Sequence, residues 1–232
     1  MLQGLFELSS LKVAKIWGMK NQSSQAALKP ITLTSSQHFL FRSWAKLYRS
    51  RFPRQELAPL STIAKAVDSK QSYISGLLTQ DNQWVGFAVI ESYGKDALLA
   101  YLATAPNFEG MGLARTLVEQ ALDNCLSESS PYFFLEAAPK LWDFYQKLGF
   151  YRLPFDYAIP DFYGQGVSKM GLFIQLDESA ESISKERLYH FVSDLLLEGY
   201  QLKACDQRYG QQMAKIDSIS CESFKVGVDH AE

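Results

Sequence analysis

The stretch N-F-E-G-M-G-L-A-R-T-L-V-E-Q-A-L, residues 107–122, decides how the chain folds. It follows an apolar run, L-L-A-Y-L-A-T-A-P at 98–106, that reads as a strand. It then settles into helical spacing, with Leu113, Leu117, Val118, Ala121 and Leu122 on one face. Gly110 and Gly112 stand at the mouth of that helix. The first turn of a helix leaves backbone N–H groups unpaired and carries the positive end of its dipole, so this passage predicts an anion site, above all for phosphate. The alternative is that the small residues let the helix pack closely on a sheet. A Walker loop is excluded, because neither its glycine spacing nor its lysine is present. A dinucleotide fingerprint asks for a third glycine where Arg115 stands.

Outward from this stretch, elements follow one another at short intervals. Upstream, I-T-L at 31–33 is a short strand, T-S-S at 34–36 a helix cap, and 37–51 an amphipathic helix. Its exposed basic face, Arg42, Lys46 and Arg49, is assigned no function. A second helix covers 57–66, and strands at 73–79 and 84–91 flank a turn at Asp81. Downstream, strands are expected at 131–137, near 150–158 and at 168–176, with a short helix at 141–148 closed by Gly149. Together these predict an α/β (α+β) fold, a mixed and mostly antiparallel central sheet with helices on both faces. The segments divide as an N-terminal extension and linker at 1–28, a main domain at 29–177, and a C-terminal helix with a polar, mobile tail at 178–232. Residues 2–17 carry a loose helical pattern. The C-terminal helix presents Leu188, Phe191, Val192, Leu195 and Leu196, and can cover the chain's own sheet or pair two subunits as a homodimer.

The 232 residues are 47% apolar and 21% charged, with a net charge of −2, which leaves no basic footprint for nucleic acid. Cys125, Cys205 and Cys221 are far apart, and His38, His190 and His230 are isolated, so neither disulfides nor a metal site is expected. No run approaches the roughly 20 apolar residues of a membrane span. The start lacks the basic segment of a signal peptide, and the cytoplasm is the expected compartment.

Three segments in order bear a further resemblance. N-F-E-G-M-G at 107–112 resembles the Q/R-x-x-G-x-G/A signature of the GNAT superfamily of N-acetyltransferases. F-F-L-E-A at 133–137 resembles its LEV-type strand, and F-Y-Q-K-L-G-F at 144–150 its second signature. The resemblance implies a GNAT-like acyl-CoA N-acyltransferase fold. It implies acetyl-CoA as co-substrate, a primary amine of a small molecule or peptide as acceptor, direct attack, and no metal, nucleic acid or membrane. A catalytically silent module that binds CoA or protein partners is the alternative, and a longer acyl chain, accommodated around Phe133 and Trp142, is another.

On the same resemblance, the pyrophosphate is held by the loop and first helical turn: Asn107, Glu109, Gly110, Met111, Gly112, Leu113, Ala114 and Arg115. Asn107 stands where the family usually has Gln or Arg. Glu109 would repel phosphate and is expected to turn its side chain outward, with Arg115 supplying positive charge. The arm of the cofactor lies between the strand ending near Thr104 and the strand at 131–137, and a backbone N–H around Leu102, Ala103 and Thr104 stabilises the oxyanion. Tyr145 matches the tyrosine that protonates the departing thiolate. A base is also needed, because an alkylamine is protonated at neutral pH. Glu136, Glu91 or a chain of waters can supply it, and the strand from Leu98 offers no acid. The aromatic loop at 157–166, with Asp156 and Asp161, suits a cationic acceptor.

Overall fold

The computed structural model describes residues 28–127 and 129–226, and the helical pattern read at 2–17 lies outside them. Antiparallel strands β1 (Lys29–Leu33), β2 (Ser72–Leu78), β3 (Trp84–Tyr93) and β4 (Asp96–Thr104) form one wing of the sheet. β5 (Tyr132–Ala137) and β8 (Val167–Leu176) pair antiparallel in the other wing. The outer edge of β8 is covered by β6 (Tyr151–Arg152) and β7 (Tyr157–Pro160). The region read as one strand near 150–158 is two, because the chain leaves the sheet edge between Arg152 and Tyr157.

The wings join through β4 and β5, the sheet's parallel pair, over three residue pairs, Ala97–Phe133, Leu98–Phe134 and Leu99–Leu135. Beyond them the two strands separate. The cause is visible in β4, where Ile90 faces Leu99 and Val89 faces Tyr101, leaving Ala100 as an extra residue. Such a bulge bends its strand and ends regular pairing.

Helices lie on both faces. On one, α3 (Leu113–Cys125) and α4 (Trp142–Gln146) bury Leu117, Val118 and Tyr145 against Val85, Ile90, Phe133 and Phe173. On the other, α1 (Phe41–Arg51) and α2 (Leu60–Asp68) cover β2 to β4 through Trp44, Tyr48 and Ile63. Beside them, α5 (Lys185–Asp194) covers β5 and β8, with Phe191 stacked on Phe134 at 3.7 Å between ring centres. The C-terminal helix therefore covers its own sheet.

Four expectations need correction. α1 begins at Phe41, and the T-S-S stretch does not cap it. Ser36 donates its amide and hydroxyl to Asp68 at the end of α2 instead, at 2.7 and 2.6 Å. α2 begins at Leu60, after Pro59, whose carbonyl accepts from Thr62 and Ile63. The tail beyond Lys203 is folded through Val226. It contains α6 (Gln207–Asp217), capped by Asp206, and a strand β10 (Ser223–Lys225) paired with β9 (Ser182–Ser184). Met213, Ile216 and Phe224 join the α5 core. Last, β4 begins at Asp96 rather than Leu98, so the strand opens on an acid ahead of the acid-free 98–104; Asp96 is buried and paired with Arg187 of α5 at 2.8 Å. That ion pair clips α5 to the sheet at the end of β4 away from the gap.

Candidate active site

Gly110 and Gly112 have φ of +75° and +78°, the left-handed region that glycine enters without strain. A Cβ at either would meet nothing within 4 Å, so close packing of the helix does not explain them. Their role is to turn the chain so that α3 opens with its amides outward. Among the described residues, no N–H of residues 110–115 donates a hydrogen bond within the chain. Such a run of aligned amides at a helix start suits an anion of more than one oxygen.

Glu109 does not point freely into solvent. Its carboxylate is paired with Arg51, the last residue of α1. This guanidinium, which sequence reading missed, lines the cavity described next, and its Nε is buried without a partner. Arg115 pairs instead with Glu119 one turn along the exposed face of α3, at 3.5 Å. Each of the two arginines is thus paired with a carboxylate, Arg51 with one in the loop itself and Arg115 with one on its own helix.

Behind the loop, the separation of β4 from β5 opens a cavity of about 620 Å³. Leu102, Ala103, Thr104 and Ala114 line it, whereas Asn107, Glu109, Gly110, Met111, Gly112, Leu113 and Arg115, in the loop and first helical turn around Ala114, do not. The amide of Ala105 donates to Val85 at 2.8 Å, which fixes the phase of the antiparallel ladder. Residues alternate between facing and turning from the partner strand. Tyr101 and Ala103 therefore bond toward β3, and the amides of Leu102 and Thr104 face the gap. Phe133 is in the core and Trp142 carries Arg152 over its ring, and neither lines the cavity. From the same two segments, Ala137, Ala138, Phe144 and Tyr145 line it instead.

The cavity reaches through the sheet, and its titratable groups divide by face. Tyr145 comes from the α3/α4 face. Burial pushes its phenol well above the usual tyrosine value, so it stays protonated, and no hydrogen bond among the described residues engages its hydroxyl. Glu136 alternates with Phe133 and Leu135 along β5 and so faces the other way. Glu91, opposite Leu98 in the β3–β4 ladder, shares that face. Both glutamates line the cavity.

The environment of Glu136 was not legible in the sequence. Tyr157 donates to its Oε1, and Tyr200, beyond α5, donates to its Oε2 at 2.6 Å. Burial raises the carboxyl to about 7, the two phenols oppose that rise, and the charge of Glu91 adds to it. Glu91 accepts from Tyr93 at 2.8 Å, and burial raises it too. Among the described residues neither glutamate forms an ion pair. In the aromatic loop, Phe162 lines the cavity, whereas Asp161 accepts from Ser168 and the backbone carbonyl of Asp156 accepts from Gln212.

A loop of outward amides, a gap between parallel strands and a tyrosine on the following helix occur in the order that the sequence resemblance implies. Residues 38–150 match the family model of the acetyltransferase (GNAT) family. Residues 38–150 carry a GNAT acetyltransferase domain. Solved structures agree on the fold. A Bacteroides thetaiotaomicron protein assigned to the GNAT acetyltransferases aligns with a TM-score of 0.59 at 21% identity, over 76% of this chain and 99% of its own. The spermidine N-acetyltransferase of Vibrio cholerae, in complex with CoA and spermine, aligns at 0.53 and 18%, over 66% and 97%. The ribosomal-protein-S18-alanine N-acetyltransferase of Escherichia coli aligns at 0.52 and 18%, over 66% and 96%. No curated protein matches the sequence. As a GNAT domain it is an acyltransferase, of a family that uses acetyl-CoA. Among the described residues no helix is long and apolar enough to cross a membrane, and no group of His, Cys, Asp and Glu is arranged to hold a metal ion.

Proposed function

We propose that the protein transfers an acetyl group from acetyl-CoA to a primary amine of a small cationic molecule, by direct attack. The observation that carries this reading is the placement of Glu136 and Tyr145 on opposite faces of the sheet at a single gap. A base on one side and an acid on the other is what an amine attacking a thioester through a sheet needs.

The unpaired amides of residues 110–115 suit the pyrophosphate, with Arg51, paired with Glu109 of the same loop, as a cation beside it. Glu136 takes the proton from the incoming ammonium. The amides of Leu102 and Thr104 receive the negative charge that develops on the carbonyl oxygen, as preorganised donors. Tyr145 gives its proton to the departing sulfur. Ordinary values near 10 for a phenol and 8.5 for a thiol already make this transfer uphill by about 2 kcal/mol, and burial of the phenol adds to that, so Tyr145 assists departure rather than driving it. Glu91 and Glu136, enclosed with no cationic partner among the described residues, favour a positively charged acceptor, and Tyr93, Tyr101 and Phe162 add aromatic walls.

Calorimetric titration with acetyl-CoA tests the first half, and saturable binding is expected. Absence of binding at the solubility limit of the ligand removes the enzyme reading. Tyr145→Phe tests the second: turnover is expected to fall roughly 10²-fold with acetyl-CoA affinity unchanged. Equal loss of both would show Tyr145 to be a packing residue. Glu109→Gln releases Arg51 from its carboxylate, so CoA is expected to bind a few-fold tighter, by roughly 1 kcal/mol at a solvated site. An unaltered Kd means that Arg51 does not reach the phosphates.

A further inference from the structure

Residues 195–201 lie outside the matched 38–150, and yet Leu195, Glu198, Gly199, Tyr200 and Gln201 line the cavity. After α5 the helix widens into a single π turn, Leu195–Gly199, a form that concentrates at functional sites. Leu195 and Leu196 remain in the core. At Gly199 a Cβ would stand 2.4 Å from the hydroxyl of Tyr93 and 2.9 Å from Leu195, so only glycine lets this turn come so close to the sheet. The chain then reverses through Gln201, at a left-handed φ of +56°, and Leu202 donates back to Leu196 at 3.0 Å. The Gln201 amide lies 3.5 Å from the Thr62 hydroxyl of α2, so the segment spans from α5 to the opposite wing. Tyr200, at the tip, is stacked on Phe162 with ring centres 5.0 Å apart, and its hydroxyl donates to Glu136.

We infer that Tyr200 is a positioning residue for Glu136, so that the segment beyond the GNAT domain completes the acceptor side of the site. The inference deepens the proposed function and rests on Glu136 as the base. Both carboxylate oxygens are held by phenols, Tyr157 from β7 and Tyr200 from the π turn. Glu91 and Tyr93 from β3 and Tyr101 from β4 also face it, and none of these groups is a cation. The two hydroxyl donors are therefore what favour the ionised carboxylate against burial and the charge of Glu91. Without Tyr200's donor, Glu136 holds its proton to higher pH.

The experiment is a carboxyl ¹³C NMR titration of the full chain labelled at glutamate, with Glu136 assigned by the signal lost in Glu136→Gln. The midpoint is expected near pH 7 in the unsubstituted protein. It is expected to rise by about one pH unit in Tyr200→Phe, which keeps the ring stacked on Phe162. An unchanged midpoint overturns the inference. Should Tyr200→Phe fail to fold, Phe162→Leu loosens the ring without removing the hydroxyl. A smaller rise is then expected, and no rise overturns the inference equally. The titration needs no acceptor, so the two readings fail separately. Full transfer by Glu136→Gln removes the base assignment, and an unmoved midpoint removes only the role of Tyr200.

Discussion

Gly112→Asp is expected to abolish acetyl-CoA binding while leaving the protein folded. Two effects combine at this position. At φ of +78° any L-residue is strained by roughly 1–2 kcal/mol. A Cβ there meets open space, so nothing in the core is displaced. The larger effect is charge. A carboxylate beside the amides of residues 110–115 occupies the donors meant for a phosphate and repels it. Two unit charges 4 Å apart at an effective dielectric of 20 repel by about 4 kcal/mol, which alone lowers affinity by roughly 10³-fold. Gly112→Ala carries the strain without the charge and is expected to weaken binding by roughly tenfold at most. Calorimetry on both variants, with melting curves beside it, separates the two. Comparable affinities for the aspartate and alanine variants would mean that phosphate does not sit at this helix start.

Glu136→Gln is expected to cost roughly 10³-fold in turnover, within the range for a lost general base. The same change removes the acidic limb of the pH–rate profile. The carboxyl is raised to about 7, so the basic form is scarce below that pH, and activity of the unsubstituted enzyme rises as pH increases through about 7. The effect on stability runs the other way. A carboxyl whose folded pKa lies above its unfolded value stabilises the fold by holding its proton, fully below about pH 4.3, and that contribution is lost as pH rises through 7. Glutamine mimics the protonated form. The variant is therefore expected to melt above the parent at pH 8 and level with it near pH 4. Acetyl transfer from acetyl-CoA, followed by thiol release over a panel of alkyl amines, reads the first effect. Full activity in the variant would pass the base role to Glu91 or to water.

What the sequence could reveal was local. The two glycines, the spacing of Leu113, Leu117 and Val118, and the order of strands and helices needed only neighbours along the chain, and the sheet and the glycine loop that opens α3 were legible. The gap itself depends on one unpaired residue, Ala100, in a run whose apolar pattern shows no break. The partner of Glu109 lies 58 residues away, and the second donor to Glu136 lies 64 residues away. No periodicity encodes such contacts. α6 was missed for a different reason. Its apolar stripe is thin, Tyr209, Met213 and Ile216, with Gly210 and two glutamines between, and its helicity comes from docking on α5 more than from propensity.

The three-pair seam between β4 and β5 has one more consequence. A sheet normally satisfies its inner strand edges with its own backbone, but here the edges beyond Leu99 and Leu135 are left open, with the amides of Leu102 and Thr104 on one bank. A ligand whose chain carries amide groups, laid along this opening, would serve as the missing stretch of strand. The two wings would then be sewn together by the substrate itself, and the complete sheet would exist only while the acyl donor is in place.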